Sequence, residues 1–260
     1  MEWLNILAGF GVGAMVGMTG VGGGALMTPI LVLLFGVAPV AAVGTDLWFA
    51  AITKMAGGVV HHGHGSVDWE VLRRLCLGSL PTSVITLVWL HLSDVGQVKQ
   101  GFILQALGAV LLLTAVAMVF RKRTHAIGHA LRMTAPQAFK RAQPALTVVA
   151  GAILGFLVTL TSVGAGALGA VMLLYLYPLR MTPARLVGTD IVHAVPLTLV
   201  AGAGHLFMGN VDLPLLGYLL IGSIPGVLLA SMLGKRVPET LLRGAIAAVL
   251  VAVGVKLVLT

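Results

Sequence analysis

Apolar runs long enough to cross a lipid bilayer follow one another along almost the whole chain. They cover residues 5–36, 40–62, 70–92, 98–120, 145–177, 184–208, 213–233 and 238–259. A helix needs about 20 apolar residues to cross a hydrocarbon core about 30 Å thick. Since no stretch of useful size is left for a soluble domain, the sequence predicts an all-α polytopic membrane protein.

Charged residues are scarce and lie mainly between these runs. Only 9% of the residues are charged, whereas ordinary soluble domains have roughly 25%. The net charge of +8 does not indicate nucleic acid as a partner, because no nucleic-acid-binding motif accompanies the basic residues. The first run begins near Met1 without a basic region before it, so we expect it to stay in the protein rather than be removed as a signal peptide.

The two halves of the chain resemble each other in sequence. Residues 43–81 align with residues 187–225, and both segments begin with Val-Gly-Thr-Asp. Residues 13–26 likewise match residues 155–168, where Thr-x-x-Gly-x-Gly-Ala-Leu recurs. The recurrence indicates a duplicated unit of about four apolar segments.

The first segment of each half is too long for a single crossing. Residues 5–36 would form a helix of about 48 Å, and glycine-rich clusters interrupt both this segment and residues 145–177. Glycine permits the backbone conformations that a tight reversal requires. We therefore predict a broken-helix hairpin in each half, followed by three transmembrane helices.

An odd number of crossings turns the second half upside down relative to the first, so we predict inverted repeats. Basic residues mark the cytoplasmic side of membrane proteins, and residues 121–143 hold six Lys or Arg residues and no acid. We predict that this segment is a cytoplasmic loop. It would link a first transmembrane repeat, residues 1–120, to a second, residues 144–260, and the two repeats would form one transport domain.

The two glycine-rich turns are candidates for an anion-binding site. Half-helices that begin at such turns direct free backbone N–H groups and the positive end of the helix dipole toward the tip. Close helix packing through small residues is the alternative explanation. The candidate anion-binding residues are Thr19, Gly20, Val21, Gly22 and Gly23 in the first turn, Thr161, Ser162, Val163 and Gly164 in the second, and Thr45 and Thr189 in the repeated Val-Gly-Thr-Asp.

Ionisable residues inside apolar runs are costly and are therefore functional candidates. Asp46 and Asp190, together with the recurring His61 and His205, are candidates for proton coupling. The alternatives are helix capping for the two aspartates and placement at the membrane interface for the two histidines.

Lys54 and His193 have no counterpart in the other half and could make a shared site asymmetric. Lys54 is a candidate anion contact if it faces inward, and a lysine that snorkels to the interface is the alternative. Asp68 and Asp212 lie in short turns before the next run, where we predict that they cap helices.

Other chemistries have little support in the sequence. His61, His62 and His64 suggest a metal site, but no Cys or acidic ligand accompanies them. The chain has no nucleophile motif of the Ser/His/Asp type, no zinc-protease motif and no P-loop. We therefore predict that the protein is not an enzyme and needs no cofactor.

The motifs of the first half resemble those of the TauE/SafE family of sulfite exporters, also called the TSUP family of anion transporters. The resemblance rests on Gly-x-x-Gly-x-Gly-Gly-Gly-Ala-Leu-x-x-Pro at 17–29, the following Val-Gly-Thr-Asp, its duplicate and the basic central segment. It covers nearly the whole chain. It implies a multi-pass protein of the bacterial inner membrane that moves sulfite, sulfonates or organic anions, coupled to protons.

Together these observations predict a secondary transporter that works by alternating access at the interface of the repeats. Its partners would be a small anion, protons and the lipid bilayer, and a homodimer is left open. Two other functions stay open: a divalent metal cation exporter that uses residues 61–64, and a membrane-embedded enzyme or assembly subunit.

Overall fold

Helices account for almost all of the described chain, as the hydrocarbon interior of a membrane requires. The computed structural model describes residues 2–19, 24–61, 67–93, 96–233 and 239–259. Within these ranges the chain forms ten α-helices and no strand, which confirms the predicted all-α class. The helices are α1 (Glu2–Thr19), α2 (Gly24–Leu33), α3 (Pro39–His61), α4 (Trp69–Leu92), α5 (Gly96–Thr134), α6 (Pro136–Thr161), α7 (Ala167–Leu176), α8 (Pro183–Phe207), α9 (Leu213–Leu233) and α10 (Glu239–Leu259).

Most helices begin where the apolar runs begin. Helices α3, α4, α8, α9 and α10 each start within one residue of the predicted position. Side chains in the preceding turns explain two of these starts. Asp68 accepts a hydrogen bond from the Val71 N–H (3.3 Å), and Asp212 accepts one from the Leu215 N–H (3.0 Å). Both predicted caps are confirmed.

The basic segment 121–143 is helical, so the prediction of a loop there was wrong. Helix α5 continues to Thr134, and α6 begins at Pro136 after the single residue Ala135. The segment is rich in Ala, Arg and Lys, which favour helix. Proline ends the first helix and suits the first turn of the next. The two basic stretches are therefore extensions of α5 and α6 rather than a flexible connection.

A sharp break divides the long apolar segment of the second half, as predicted. Helix α6 ends at Thr161, and Ser162 follows in the left-handed region with φ of 59°. Gly164 has φ of 119°, a backbone conformation that residues other than glycine rarely adopt. These two residues turn the chain before α7 begins at Ala167.

Helix α7 runs back along α6 after this turn. The Gln143 side-chain amide donates to the Leu176 carbonyl (2.5 Å), and the hydroxyls of Thr147 and Tyr177 lie 2.8 Å apart. The end of α7 is thus fixed beside the first half of α6, and the two helices form a hairpin. In the first half, α1 ends and α2 begins on either side of residues 20–23, which lie outside the described residues.

The two halves pack against each other through equivalent pairs of helices. Helix α1 lies along α9, and its counterpart α6 lies along α4, the counterpart of α9. A Cβ added at Gly13 of α1 would overlap the Ser223 carbonyl oxygen of α9, and one added at Gly155 of α6 would overlap that of Ser79 in α4. Small residues permit this close approach of helices in membranes.

Helices α3 and α8, which are equivalent in sequence, pack together in opposite directions. Gly44 of α3 lies beside His205 of α8, Trp48 donates from its indole N–H to the Gly202 carbonyl (2.9 Å), and Lys54 lies beside the earlier α8 residue Asp190. Opposite directions for equivalent helices are what an inverted repeat requires. The inverted orientation of the two halves in a membrane stays a prediction.

The described helices are suited to a membrane by length and composition. Five of them, namely α4, α6, α8 and most of α5 and α9, are long and apolar enough to cross one. Large apolar side chains are exposed on their outer surfaces, among them Val88, Leu113 and Ile221. Because such surfaces are rare on soluble monomers, the exposed apolar residues agree with a lipid environment.

Candidate functional site

Three ionisable side chains meet in the interior of the protein, where α3 packs against α8. Asp46, Lys54 and Asp190 are buried, with no more than 4% of any of them exposed. The Lys54 Nζ atom lies 4.0 Å from Asp190 Oδ2 and within electrostatic range of Asp46. We call these three residues the central charged cluster. Since buried charges are costly unless they are paired, the central charged cluster is the strongest candidate for a functional site.

The two aspartates do not cap their own helices. Helix α3 begins at Pro39 and α8 at Pro183, so Asp46 and Asp190 each lie about two turns inside a helix. The capping alternative is therefore excluded for both residues, whereas their part in proton coupling stays a prediction.

Asp46 contacts α2 and the tip of the second hairpin. Its Oδ2 atom accepts hydrogen bonds from the Thr28 N–H (3.2 Å) and the Thr28 hydroxyl (2.5 Å) on α2. The Ser162 hydroxyl at the tip of the second hairpin lies close to the carboxylate. Neither Asp46 Oδ1 nor the Ser162 hydroxyl has a hydrogen-bond partner among the described residues. Within the described part of the chain, both atoms thus keep an unused capacity to bond a proton or a ligand.

Lys54 faces the interior, so the snorkelling alternative is excluded. Its Nζ atom forms no hydrogen bond within the described ranges of the chain, and its contact with Asp190 is a long ion pair. An ammonium group has three N–H donors. In its protonated form, this buried side chain would offer an oxyanion charge-assisted donors that the described residues do not use.

His193 and Gly169 complete the surroundings of the cluster. The His193 Nε2 atom lies 2.9 Å from the Ser79 hydroxyl on α4, and His193 is within electrostatic range of Lys54. A Cβ added at Gly169, in the first turn of α7, would lie 2.8 Å from Asp190 Oδ1. A larger residue at position 169 would therefore displace the Asp190 carboxylate from its present position.

The hydroxyl groups of Thr45 and Thr189 connect the two halves rather than the cluster. Thr45 accepts a hydrogen bond from the Asp212 N–H (3.0 Å), and Thr189 accepts one from the Asp68 N–H (2.9 Å). Each threonine thus holds the turn before a helix of the other half. Their predicted contact with an anion is untested, and these bonds give both residues a structural function.

In the turn between α6 and α7, some hydrogen-bond donors are bonded within the turn and others have no bond to a described residue. The Thr161 hydroxyl donates to the Leu157 carbonyl (2.7 Å) and accepts from the Val163 N–H (3.2 Å), so it stabilises the turn itself. The amides from Gly164 to Leu168 form no backbone hydrogen bond within the part of the chain that the structure describes. Together with the Ser162 hydroxyl, they are the donors that this turn could offer to an anion.

Several predicted site residues lie elsewhere or cannot be located. Gly20, Val21, Gly22 and Gly23 lie outside the described residues, as do His62 and His64, and the side chains of Thr19 and His61 are not described. His205 is fully buried within the protein, with Nε2 3.0 Å from the Thr159 carbonyl oxygen. The described residues contain no group of three or more side chains that could hold a metal ion.

An ion-pair network joins the two halves at one end of the bundle. The Arg180 side chain, in the turn after α7, contacts both carboxylate oxygens of Asp68 (2.5 and 2.7 Å) and one of Glu70 (2.7 Å). Glu70 also pairs with Arg74 (2.5 Å), which donates to the Tyr177 hydroxyl (3.2 Å). These contacts tie the start of α4 to the end of the second hairpin.

Sequence reasoning missed Thr28, Ser79 and Gly169. Thr28 follows the glycine-rich turn and precedes Pro29, but its equivalent in the second half is an alanine, so the repeat gave no signal for it. Ser79 recurs as Ser223, and this recurrence could have drawn attention to it. Nothing in the sequence distinguishes Gly169 from a glycine that serves helix packing.

The family model described as "Sulfite exporter TauE/SafE" matches residues 5–257. The chain belongs to this family. The predicted resemblance is therefore confirmed, and the protein is a multi-pass membrane transporter. No solved structure matches the chain.

Relatives with curated names extend along nearly the whole chain. The probable membrane transporter protein YjnA of Bacillus subtilis is 40% identical over 258 residues, which cover 97% of this chain and 98% of the relative. The probable membrane transporter protein MJ0441 of Methanocaldococcus jannaschii is 26% identical over 255 residues, which cover 91% of this chain and 86% of the relative. These names agree with transport rather than catalysis.

Proposed function

We propose that the protein is a secondary transporter that moves a small oxyanion, such as sulfite or a sulfonate, together with protons. The observation that carries this proposal is the buried Lys54 ammonium, which has no hydrogen-bond partner among the described residues and lies between two halves of the protein. The family name, which refers to sulfite export, supports the substrate class. In this proposal the protein lies in a bacterial inner membrane.

The charges of the central cluster couple the anion to protons. With Asp46, Asp190 and Lys54 all ionised, the cluster carries a net negative charge that repels an incoming anion. A proton on Asp46 makes the cluster neutral, and this proton can lie on Oδ1, which has no hydrogen-bond partner among the described residues, while Oδ2 accepts from Thr28. Because uncompensated charge is costly at this depth, we take the neutral form as the resting state.

Anion binding then requires Asp190 to take up a proton. A monovalent oxyanion that binds Lys54 replaces Asp190 as its partner, and the cluster stays neutral only if Asp190 is protonated. We therefore expect about one proton to move with each monovalent anion. The free amides of the second turn and the Ser162 hydroxyl would bind the remaining oxygens of the anion.

Alternating access follows from the proposed inverted orientation of the halves. The central charged cluster lies between α3 and α8. The first half contacts it through Thr28 on α2, and the second half contacts it through Ser162 at the tip of its hairpin. Rocking of one half against the other would expose the cluster to one side at a time. The basic extensions of α5 and α6 would face the cytoplasm, and the Arg180 network at the start of α4 would close the same side.

Transport in proteoliposomes tests this function. The purified full chain is reconstituted, and uptake of radiolabelled sulfite and of methanesulfonate is measured with and without an acidic exterior. Methanesulfonate stays ionised, so it controls for sulfite that leaks as neutral sulfur dioxide. We expect saturable uptake of both anions, accelerated by the pH gradient and absent from protein-free liposomes.

The outcomes separate the parts of the proposal. An uptake rate that does not depend on the pH gradient would contradict proton coupling but not anion transport. Absence of uptake for either anion, with the protein inserted and folded, would contradict the substrate class. Uptake of a divalent metal ion in the same liposomes would favour the cation exporter instead.

A further inference from the structure

The extensions of α5 and α6 place basic side chains where these helices leave the membrane. Helix α5 has 39 residues and is therefore about 58 Å long, far longer than a hydrocarbon core of about 30 Å. Its apolar run ends at Phe120, and Arg121, Lys122 and Arg123 follow at once. These basic residues therefore begin at the depth of the lipid headgroups.

On α6 the basic residues come before the apolar run, whereas on α5 they come after it. Lys140 and Arg141 of α6 come just before the apolar run that begins at residue 145. Both side chains are exposed, as are Lys122 and Arg123 on α5. Since α5 and α6 contact each other, the two basic pairs lie on neighbouring helices. No acidic residue occurs anywhere between 121 and 143.

Large apolar side chains are exposed directly below both basic pairs. On α5, Val119 is 67% and Phe120 43% exposed, and on α6, Leu146 is 41% and Val149 53% exposed. A surface that is cationic at headgroup depth and apolar beneath it matches both parts of an anionic phospholipid. A free anion would not use the apolar part, and a soluble acidic protein could not reach it.

We propose that this surface, formed by Lys122, Arg123, Lys140 and Arg141 with the apolar side chains below them, binds anionic phospholipids such as phosphatidylglycerol. Clusters of basic residues next to a transmembrane helix attract anionic headgroups. The surface is also connected to the second hairpin, because His125 Nε2 lies 3.1 Å from the Pro178 carbonyl oxygen and the Phe139 and Tyr175 rings make an edge contact. Bound lipid would therefore hold the end of α7 in place.

Native mass spectrometry of the full chain in detergent tests this inference, which does not depend on the identity of the transported substrate. The protein is mixed with equal amounts of phosphatidylglycerol and phosphatidylcholine, and the lipid retained on each chain is counted. We expect preferential retention of phosphatidylglycerol. Each basic residue contributes about a fivefold factor to binding, so the Lys140→Gln/Arg141→Gln variant should bind it about 25-fold more weakly.

A matched variant and a competitor make the test specific. Arg73→Gln/Arg185→Gln removes the same charge from α4 and α8, and it should retain phosphatidylglycerol as the unmodified protein does. Equal loss in both double variants, or no preference for phosphatidylglycerol in the unmodified protein, would overturn the inference. Displacement of the lipid by millimolar inorganic phosphate would also overturn it, since the surface would then be a site for free anions.

Discussion

Replacing Lys54 by methionine should reduce the rate of anion uptake into proteoliposomes by roughly 10- to 100-fold. Methionine keeps most of the length of the side chain but removes the buried ammonium, whose Nζ atom has no hydrogen-bond partner among the described residues. A hydrogen bond to a charged group contributes about 1.5–3 kcal/mol, and each 1.4 kcal/mol corresponds to about a tenfold change. Initial rates of sulfite and methanesulfonate uptake measure the effect.

Two further variants separate loss of the site from loss of the fold. Lys54→Met/Asp190→Asn removes both members of the ion pair, so the Asp190 carboxylate is not left without its partner, and the variant should fold well and stay inactive. Arg73→Gln removes an exposed positive charge from α4 and should transport normally. Uptake by Lys54→Met within about threefold of the unmodified protein would contradict the role of this residue, because the smallest loss expected from the hydrogen-bond range is about tenfold.

Replacing Gly13 by valine should strongly destabilise the protein, whereas the same change at Gly11 should be nearly neutral. A Cβ at position 13 would overlap the Ser223 carbonyl oxygen and lie 2.7 Å from Ser223 Cα, while nothing lies within 4 Å of a Cβ at position 11. Both glycines are on α1, so the substitution and the helix are the same. Overpacking costs about 1–3 kcal/mol, and the backbone contact puts Gly13→Val at or above the top of that range.

Thermal denaturation in detergent, followed by size-exclusion chromatography of the soluble fraction, measures the difference. We expect a clearly lower midpoint or no monodisperse protein for Gly13→Val, and a midpoint close to that of the unmodified protein for Gly11→Val. Equal midpoints for the two variants would contradict the close packing of α1 against α9.

The helices could be predicted from the sequence because the hydrophobic runs determine where a chain crosses lipid. The break in the second half was also predictable, since residues 162–166 combine small residues and glycine where one helix would be too long. The segment 121–143 was predicted as a loop because its charges were given more weight than its high helix propensity. Residues 20–23 lie outside the described residues, so the predicted first anion-binding turn is untested, as is a homodimer.

The charged part of the candidate site was predictable, and the rest of its surroundings was not. Asp46, Lys54 and Asp190 stood out because ionisable groups inside apolar runs are rare and costly. Thr28 and Ser79 did not, since hydroxyl groups within helices commonly bond to their own backbone, as Thr198 does here. Only the packing of α2 and α4 against the central helices directs Thr28 and Ser79 toward Asp46 and His193.

In the proposed mechanism the anion replaces Asp190 as the partner of Lys54, and Asp190 takes up a proton. The most direct measurement of this step is proton uptake during anion binding. Purified protein in weakly buffered solution with a pH indicator is titrated with methanesulfonate, which itself takes up no proton. We predict about one proton per bound anion for the unmodified protein, and the same uptake for Asp46→Asn, in which Lys54 and Asp190 form a neutral pair and Asp190 must take up the proton. Binding without proton uptake in the unmodified protein, or loss of the uptake in Asp46→Asn, would contradict this mechanism.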